Sequence, residues 1–320
     1  MDTSISKVLM KEKITSHLRR LIKNGSSAIE KQFSRAGVSE KVEIFENEDP
    51  LGEESLYSPT KGLVHKFSNR ALIKVSYRCA AHCLFCTRDR QIGDPSGDLT
   101  ETDINNCISY ICSHTEIDDV ILSGGDPFVT PKVTLNLLLS LSKIKSVKVI
   151  RIGTRLPIHS PRCFNSKPIL KLVKGISRVS DIKPVYLLVH VNHPDELVPE
   201  TRKVLTYLNR NCAILVSQSV FLKGINDSSE ILGRLFIELY HLGISPYYIY
   251  RCDSVQGLER FVCSFKKEKQ IMTELRRILS GLALPTHVVD VYGRGKIPVP
   301  TEFWRGSDEC IDYDEKIIRI

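Results

Sequence analysis

The sequence predicts an α/β protein, an incomplete (β/α)6 barrel preceded by a short helical segment. Three observations carry this prediction. From about residue 63 onward, short β-rich runs alternate with longer segments of helical period. Six such strand–helix units can be read, short of the eight that close a full barrel. Residues of unusual chemistry fall just past the strand ends, and in a β/α barrel those ends all open on one mouth.

The elements follow in order. Residues 1–40 are polar, with Ile5, Val8 and Leu9, then Leu18, Leu21 and Ile22, at helical spacing. This predicts a small helical preamble. Residues 43–54 hold six acids and the pair Asp49-Pro50, which reads as a surface loop or linker. Strands are expected at 71–76, 120–123, 147–153, 185–191, 213–218 and 247–250, with 286–291 as a candidate further strand. Residues 101–113, 131–144 and 229–242 read as amphipathic helices. The expected division is a helical segment and acidic linker over 1–62, the barrel over 63–300, and a C-terminal tail over 301–320.

Composition narrows the function. Hydrophobic residues at 42% and charged residues at 26% are the balance of a soluble globular protein, which excludes a disordered chain. No apolar run approaches the roughly 18 residues of a membrane span, and the N-terminus lacks the apolar stretch of a secretory signal. A cytoplasmic protein with no membrane partner is expected. The net charge of +8 is spread along the chain. No basic stripe with interleaved aromatics marks a nucleic-acid surface, so no nucleic-acid partner is expected. Ten cysteines are too few for a disulfide scaffold, and in a reducing compartment their thiols stay free.

Three of those cysteines are crowded, in Cys79-Ala-Ala-His-Cys83-Leu-Phe-Cys86. Three thiolates in so short a loop can hold three irons of a cubane cluster and leave the fourth iron open. A structural zinc site normally closes with four ligands. Cys107 is distant in sequence, and His82 inside the loop is awkwardly placed to serve.

The C-x3-C-x2-C spacing after the first barrel strand resembles the signature of the radical S-adenosylmethionine (SAM) enzymes. The resemblance implies a [4Fe-4S] cluster on Cys79, Cys83 and Cys86, with SAM chelated to the open iron. Ser123-Gly124-Gly125-Asp126-Pro127 resembles that family's glycine-rich segment after the second strand, where glycine lets the backbone approach the SAM amino group. Gly124, Gly125 and Asp126 are the implied cofactor-binding residues.

The match extends further, over about residues 45–300. Gly62-Leu-Val-His-Lys66 precedes the first strand. Arg151-Ile-Gly-Thr-Arg155, Asn192-His193-Pro194, Gln218-Ser219-Val220 and Gly224-Ile-Asn226-Asp227 follow in order. Pro246-Tyr247-Tyr248-Ile-Tyr250, Asp253 and Gly293-Arg-Gly295-Lys296 complete the set. This set is similar to the lysine 2,3-aminomutases, which use SAM and pyridoxal 5'-phosphate (PLP) together. The resemblance implies an isomerase that converts L-lysine to β-lysine. Lys296 falls where the family anchors PLP, and His193 and Gln218 fall in cofactor-binding segments. Arg88 matches the clamp for the substrate carboxylate, a role suited to a bidentate cation. Asp253 and Asp290 match the two acids that grip the substrate ε-ammonium, and keeping both points to a basic substrate. A reductant such as flavodoxin or ferredoxin is implied.

There are departures. Asp290 and Lys296 are six positions apart where the family has seven, and the glycine run is only Gly-Arg-Gly. Ser228 follows Asn226-Asp227 where clostridial-type relatives have a zinc-binding cysteine, and the chain's last stretch holds only Cys310. The family's intersubunit zinc and its dimer contact are therefore expected to be absent, and a homo-oligomer without that zinc stays open. Asp49-Pro50-Leu51 and Asp253-Ser-Val-Gln-Gly257 resemble a branch whose β-lysine goes to elongation factor P. That destination, a radical SAM enzyme acting on RNA, and a non-catalytic iron–sulfur or zinc protein stay open as alternatives.

Overall fold

The computed structural model describes residues 11–36, 49, 52–211, 214–253, 257–291, 294–301, 303, 309–311 and 316–319. Ile5, Val8, Leu9, most of the acidic stretch, Pro50, Leu51, residues 254–256 and Gly293 lie outside these.

The β-rich runs assemble into one sheet. In spatial order it contains β1 (Leu63–Phe67), β2 (Arg70–Ser76), β3 (Asp119–Gly124), β4 (Val149–Thr154), β5 (Val185–His190), β6 (Ile214–Val220), β7 (Ser245–Tyr250), β8 (Thr286–Val291) and β9 (Gly295–Pro298). Strands β2 to β8 are parallel to their neighbours. Parallel neighbours need crossover connections, and helices supply them. Two short helices, α1 (Ser16–Lys23) and α2 (Ser27–Phe33), precede the sheet. The crossovers contain α3 (Glu101–Ser113), α4 (Pro131–Lys143), the single turn α5 (Leu156–His159) with α6 (Lys167–Ser180), α7 (Pro199–Asn211), α8 (Ser229–His241) and α9 (Phe265–Ile278). The incomplete barrel of six strand–helix units is thus present, and 286–291 forms a seventh parallel strand. Sequence reading missed the two antiparallel edges, β1 and β9. The C-terminal stretch holds a separate antiparallel pair, β10 (Glu309–Ile311) and β11 (Ile317–Arg319).

Strand alternation divides the two faces. Ile150 and Ile152 of β4 are buried in the main core with helix residues such as Leu137 and Leu172. Arg151 and Gly153, between and after them, line an interior cavity. That cavity takes residues from every strand from β1 to β9, so the sheet curls around it. The edges meet through side chains. Lys66 Nζ of β1 lies 3.3 Å from Asp290 Oδ1 of β8. A Cβ on Gly295 of β9 would stand 2.8 Å from the Phe67 ring of β1. No main-chain ladder joins β1 to β9 among the described residues.

Helices α1 and α2 cap one side of the cysteine loop. Thr15 and Ser26 cap their N-termini, each accepting a backbone N–H. Leu18, Leu21, Ile29 and Phe33 pack on Ala81, between the first two crowded cysteines. No helix among the described residues is long and apolar enough to cross a membrane.

Candidate active site

The cavity has a volume of about 380 Å³ and is lined by Cys79, Cys83 and Cys86 at one end. Their loop is held by burial of Ala81, Leu84 and Phe85 on either side of Cys83. Arg155, just past β4, donates from Nη1 to Cys83 Sγ at 2.9 Å. His159 Nε2 stands 3.6 Å from the same sulfur. Burial raises all three thiols, Cys86 to about 12, and Arg155 partly offsets it at Cys83. Burial, then the Arg155 charge, hold His159 and His190 low, His190 at about 3, so both imidazoles stay neutral.

Arg155 is the hub of a buried polar network. Its Nη2 donates to Gln32 Oε1 of α2 at 2.6 Å and to Glu196 Oε1 at 3.0 Å. Gln32 Nε2 donates to Glu196 at 2.9 Å, and Asn192 Nδ2 donates to Gln32 at 3.2 Å. The guanidinium also stacks 5.0 Å from the rings of Phe33 and Phe85. The N-terminal helices are in this way tied to the cysteine loop.

The glycine turn after β3 lies beside the thiols. Gly124 has φ +100°, and a Cβ there would stand 2.7 Å from the Ser76 carbonyl. A Cβ on Gly125 would stand 2.7 Å from Arg78 N. Both glycines are therefore required by the chain's own backbone, a reason separate from cofactor approach. Asp126 is buried, and its oxygens accept from Phe128 N, Thr154 Oγ1 and Arg155 N at 2.8–3.0 Å. It braces the turn while lining the cavity.

At the other end stand Asp253, Asp290 and Lys296. Lys296 Nζ lies 3.2 Å from Asp290 Oδ2 and 5.9 Å from the Tyr250 ring centre. Burial and then Asp290 push Asp253 up to about 6, while Lys296, Arg88 and Lys66 pull it back. Gln218, Lys66, Arg70 and Arg151 line the same cavity, with Tyr248 and Tyr250. The three cations had no role in the sequence reading. Arg151 could have been found from strand parity, because a cation on the inward positions of a core strand needs a reason to be there.

Arg88 also lines the cavity, and its partner is Glu53. Nε donates to Glu53 Oε2 at 2.9 Å and Nη2 to Oε1 at 2.5 Å. Burial opposes the Arg88 charge, and the Glu53 carboxylate more than restores it.

The structure departs from expectation at His193. It does not line the cavity. Its Nδ1 accepts from Asp195 N at 3.2 Å and stands 3.4 Å from Asp195 Oδ1, capping the turn Pro194–Glu196. His190 is the histidine that faces inward, because it is the last residue of β5 and shares the inward parity of Leu188.

The donor set fits the implied groups. Among the described residues no three His, Cys, Asp or Glu side chains close on a single ion. Three thiols instead share one cavity wall with no fourth cysteine beside them in the cysteine loop, as a cluster with an open iron requires. At the far end an amine with three cations nearby suits an aldehyde that carries a phosphate.

The chain is similar to several known proteins. A family model described as a 4Fe-4S single cluster domain matches residues 69–179. An L-lysine 2,3-aminomutase of Methanococcus maripaludis is 36% identical over 296 residues, covering 91% of this chain and 66% of that protein. A putative L-lysine 2,3-aminomutase of Aquifex aeolicus is 36% identical over 290 residues, covering 87% and 76%. An L-lysine 2,3-aminomutase of Escherichia coli is 34% identical, covering 77% and 69%. The chain thus spans about two thirds to three quarters of the length of these relatives. Streptococcus suis SuiB bound to precursor peptide SuiA matches with a TM-score of 0.50 at 14% identity, over 70% of this chain and 49% of that one, which is a likeness of fold.

Proposed function

Because the chain belongs to the L-lysine 2,3-aminomutase family, we propose that it converts L-lysine to β-lysine with a [4Fe-4S] cluster, SAM and PLP. One observation carries this reading: three thiols, Lys296, the acid pair Asp253 and Asp290, and Arg88 all line one cavity. When bound, the cluster and SAM would supply an organic radical, and PLP would supply the aldehyde and conjugated ring that, joined to the substrate's own amino nitrogen, let that nitrogen cross between adjacent carbons.

The chain's residues do the rest. Cys79, Cys83 and Cys86 hold three irons. Gly124 and Gly125 keep the cavity wall beside them free of side chains. Lys66, Arg70 and Arg151 hold a phosphate, and Lys296 anchors the aldehyde end until substrate arrives. A lysine ammonium is costly to bury unless anions replace its water. Asp253 and Asp290 meet that need, and Arg88 takes the carboxylate. The ammonium of Lys296 beside Asp290 supports this assignment, since it is chemically the group the pocket would receive.

The electron comes from a flavodoxin or ferredoxin, and the reaction is cytoplasmic. Delivery of β-lysine to elongation factor P is the alternative destination, supported by the likeness of Asp49-Pro50-Leu51 and Asp253-Ser-Val-Gln-Gly257 to that branch. The test is an anaerobic assay of the reconstituted protein with L-lysine. Formation of β-lysine is expected, and release of deoxyadenosine without β-lysine would overturn the reading.

A further inference from the structure

We propose that Glu53 is a positioning residue for substrate recognition. It grips one edge of the Arg88 guanidinium and keeps the other edge turned to the substrate carboxylate. This rests on the reading of Arg88 given above.

A guanidinium has a side edge, Nε with Nη2, and an end edge, Nη1 with Nη2, and either can bind a carboxylate through two hydrogen bonds. Glu53 takes the side edge. Nη1 makes no hydrogen bond among the described residues, and Arg88 lines the cavity. The end edge is the one left for a ligand.

The grip has a purpose beyond pairing. Asp253 lies within electrostatic reach of Arg88. A buried arginine free to rotate would settle on such a carboxylate. The cation meant for one end of L-lysine would then cancel the anion meant for the other. Glu53 prevents this only if it is itself fixed, and it is. The Asp49 carboxylate accepts from the backbone N–H of Glu53 at 3.1 Å, and from those of Glu54 and Ser55 at 2.9 Å. Asp49 also pairs with Arg90 at 3.2 Å, and Glu54 with Lys74 at 2.5 Å. These contacts hold the Glu53 backbone in place against an incoming ligand. The substrate adds to Arg88 and does not displace Glu53.

The test uses the anaerobically reconstituted holoenzyme and two probes. L-lysine has the carboxylate; 1,5-diaminopentane keeps both amines and lacks it. Binding is read from the change in the PLP absorbance band, independently of turnover. Glu53→Gln is expected to raise the Kd for L-lysine on the order of tenfold, as loss of an orienting partner typically does. It should leave diaminopentane binding unchanged, with KM rising more than kcat falls. Glu53→Asp, which keeps the charge, should recover part of the loss. Arg88→Gln separates the two claims. If it weakens both probes alike, Arg88 does not bind the carboxylate and the underlying reading falls. If it weakens L-lysine alone while Glu53→Gln weakens neither probe or both alike, the reading stands and the positioning role is overturned. Should Glu53→Gln lose its iron, the milder Glu53→Asp replaces it. A loss confined to L-lysine then upholds the positioning role, and an equal or absent effect on the two probes overturns it.

Discussion

Asp290 and Lys296 are directly opposed across the β8–β9 hairpin, with carboxylate and ammonium 3.2 Å apart. Residues opposed in an antiparallel pair point to the same face. The six-position spacing, shorter than the family pattern, therefore still delivers acid and amine to one cavity. Val291 pairs with Gly295, whose φ of +90° is suited to glycine at the end of the turn.

Lys296→Ala should abolish the borohydride-trapped PLP adduct and cut turnover by orders of magnitude, with iron content unchanged. Mass spectrometry of the reduced protein checks this. An adduct on a different lysine would move the anchor elsewhere.

Asp253 should impose a pH dependence of two opposite signs. Its carboxyl is raised from 3.8 to about 6 by burial and Asp290. Between those values the folded chain holds a proton that the unfolded chain has released. Stability on this account falls as pH rises through that window and is level above it. Binding of the substrate ammonium needs the carboxylate, so affinity for L-lysine rises through the same window. Asp253→Asn should flatten both profiles and cost about 2–5 kcal/mol of L-lysine binding. Thermal melts and KM values between pH 5 and 8 measure the two.

Replacing any one of Cys79, Cys83 or Cys86 by Ala should abolish SAM cleavage, because on the proposed reading each thiolate holds its own iron. Deoxyadenosine release under reducing conditions is the measurement. Full release from any single variant would remove that cysteine from the cluster.

Gly125→Ala places a methyl against the Arg78 backbone, 2.7 Å from its nitrogen. Backbone cannot swing aside as a side chain can. About 1–3 kcal/mol of lost stability is expected, as for other overpacked sites, together with poorer iron incorporation. A Tm equal to that of the parent would mean that the Ser76–Arg78 segment yields freely.

Arg155→Met should cost about 3–5 kcal/mol, since it leaves Glu196 buried without its cation. The double variant Arg155→Met with Glu196→Gln should recover much of that loss. Denaturant titrations of the two variants and the parent give the coupling directly once Glu196→Gln alone is added.

The sheet was legible because its central strands are short runs rich in β-branched and aliphatic residues, such as 185–189, separated by helical periods. The edges were not. Leu63–Phe67 mixes His65 and Lys66 into five residues, and Gly295–Pro298 contains a glycine and a proline. Both are strands because a neighbour pairs with them. The site residues quoted from motifs reached the cavity except His193, where adjacency to the strand end misled. Chain direction turns after His190, and the side chain three positions on serves a cap. Glu53 was hidden for another reason. Within an acidic stretch it looks like a solvated surface charge, and its partner Arg88 is distant in sequence.

The seam between β1 and β9 has one more consequence. Every other pair of neighbouring strands is welded by main-chain hydrogen bonds, while this pair is buttoned by Lys66 to Asp290 and by Phe67 over Gly295. Parting welded strands gives up a whole ladder, at about 1 kcal/mol per bond. Among the described residues, the button includes a partly buried ion pair and a ring contact. The sleeve around the cavity therefore has a fastened side, and Asp290 is part of the fastener. On the function proposed above, a guest ammonium that drew Asp290 away from Lys66 would loosen the garment at the place where it was itself held.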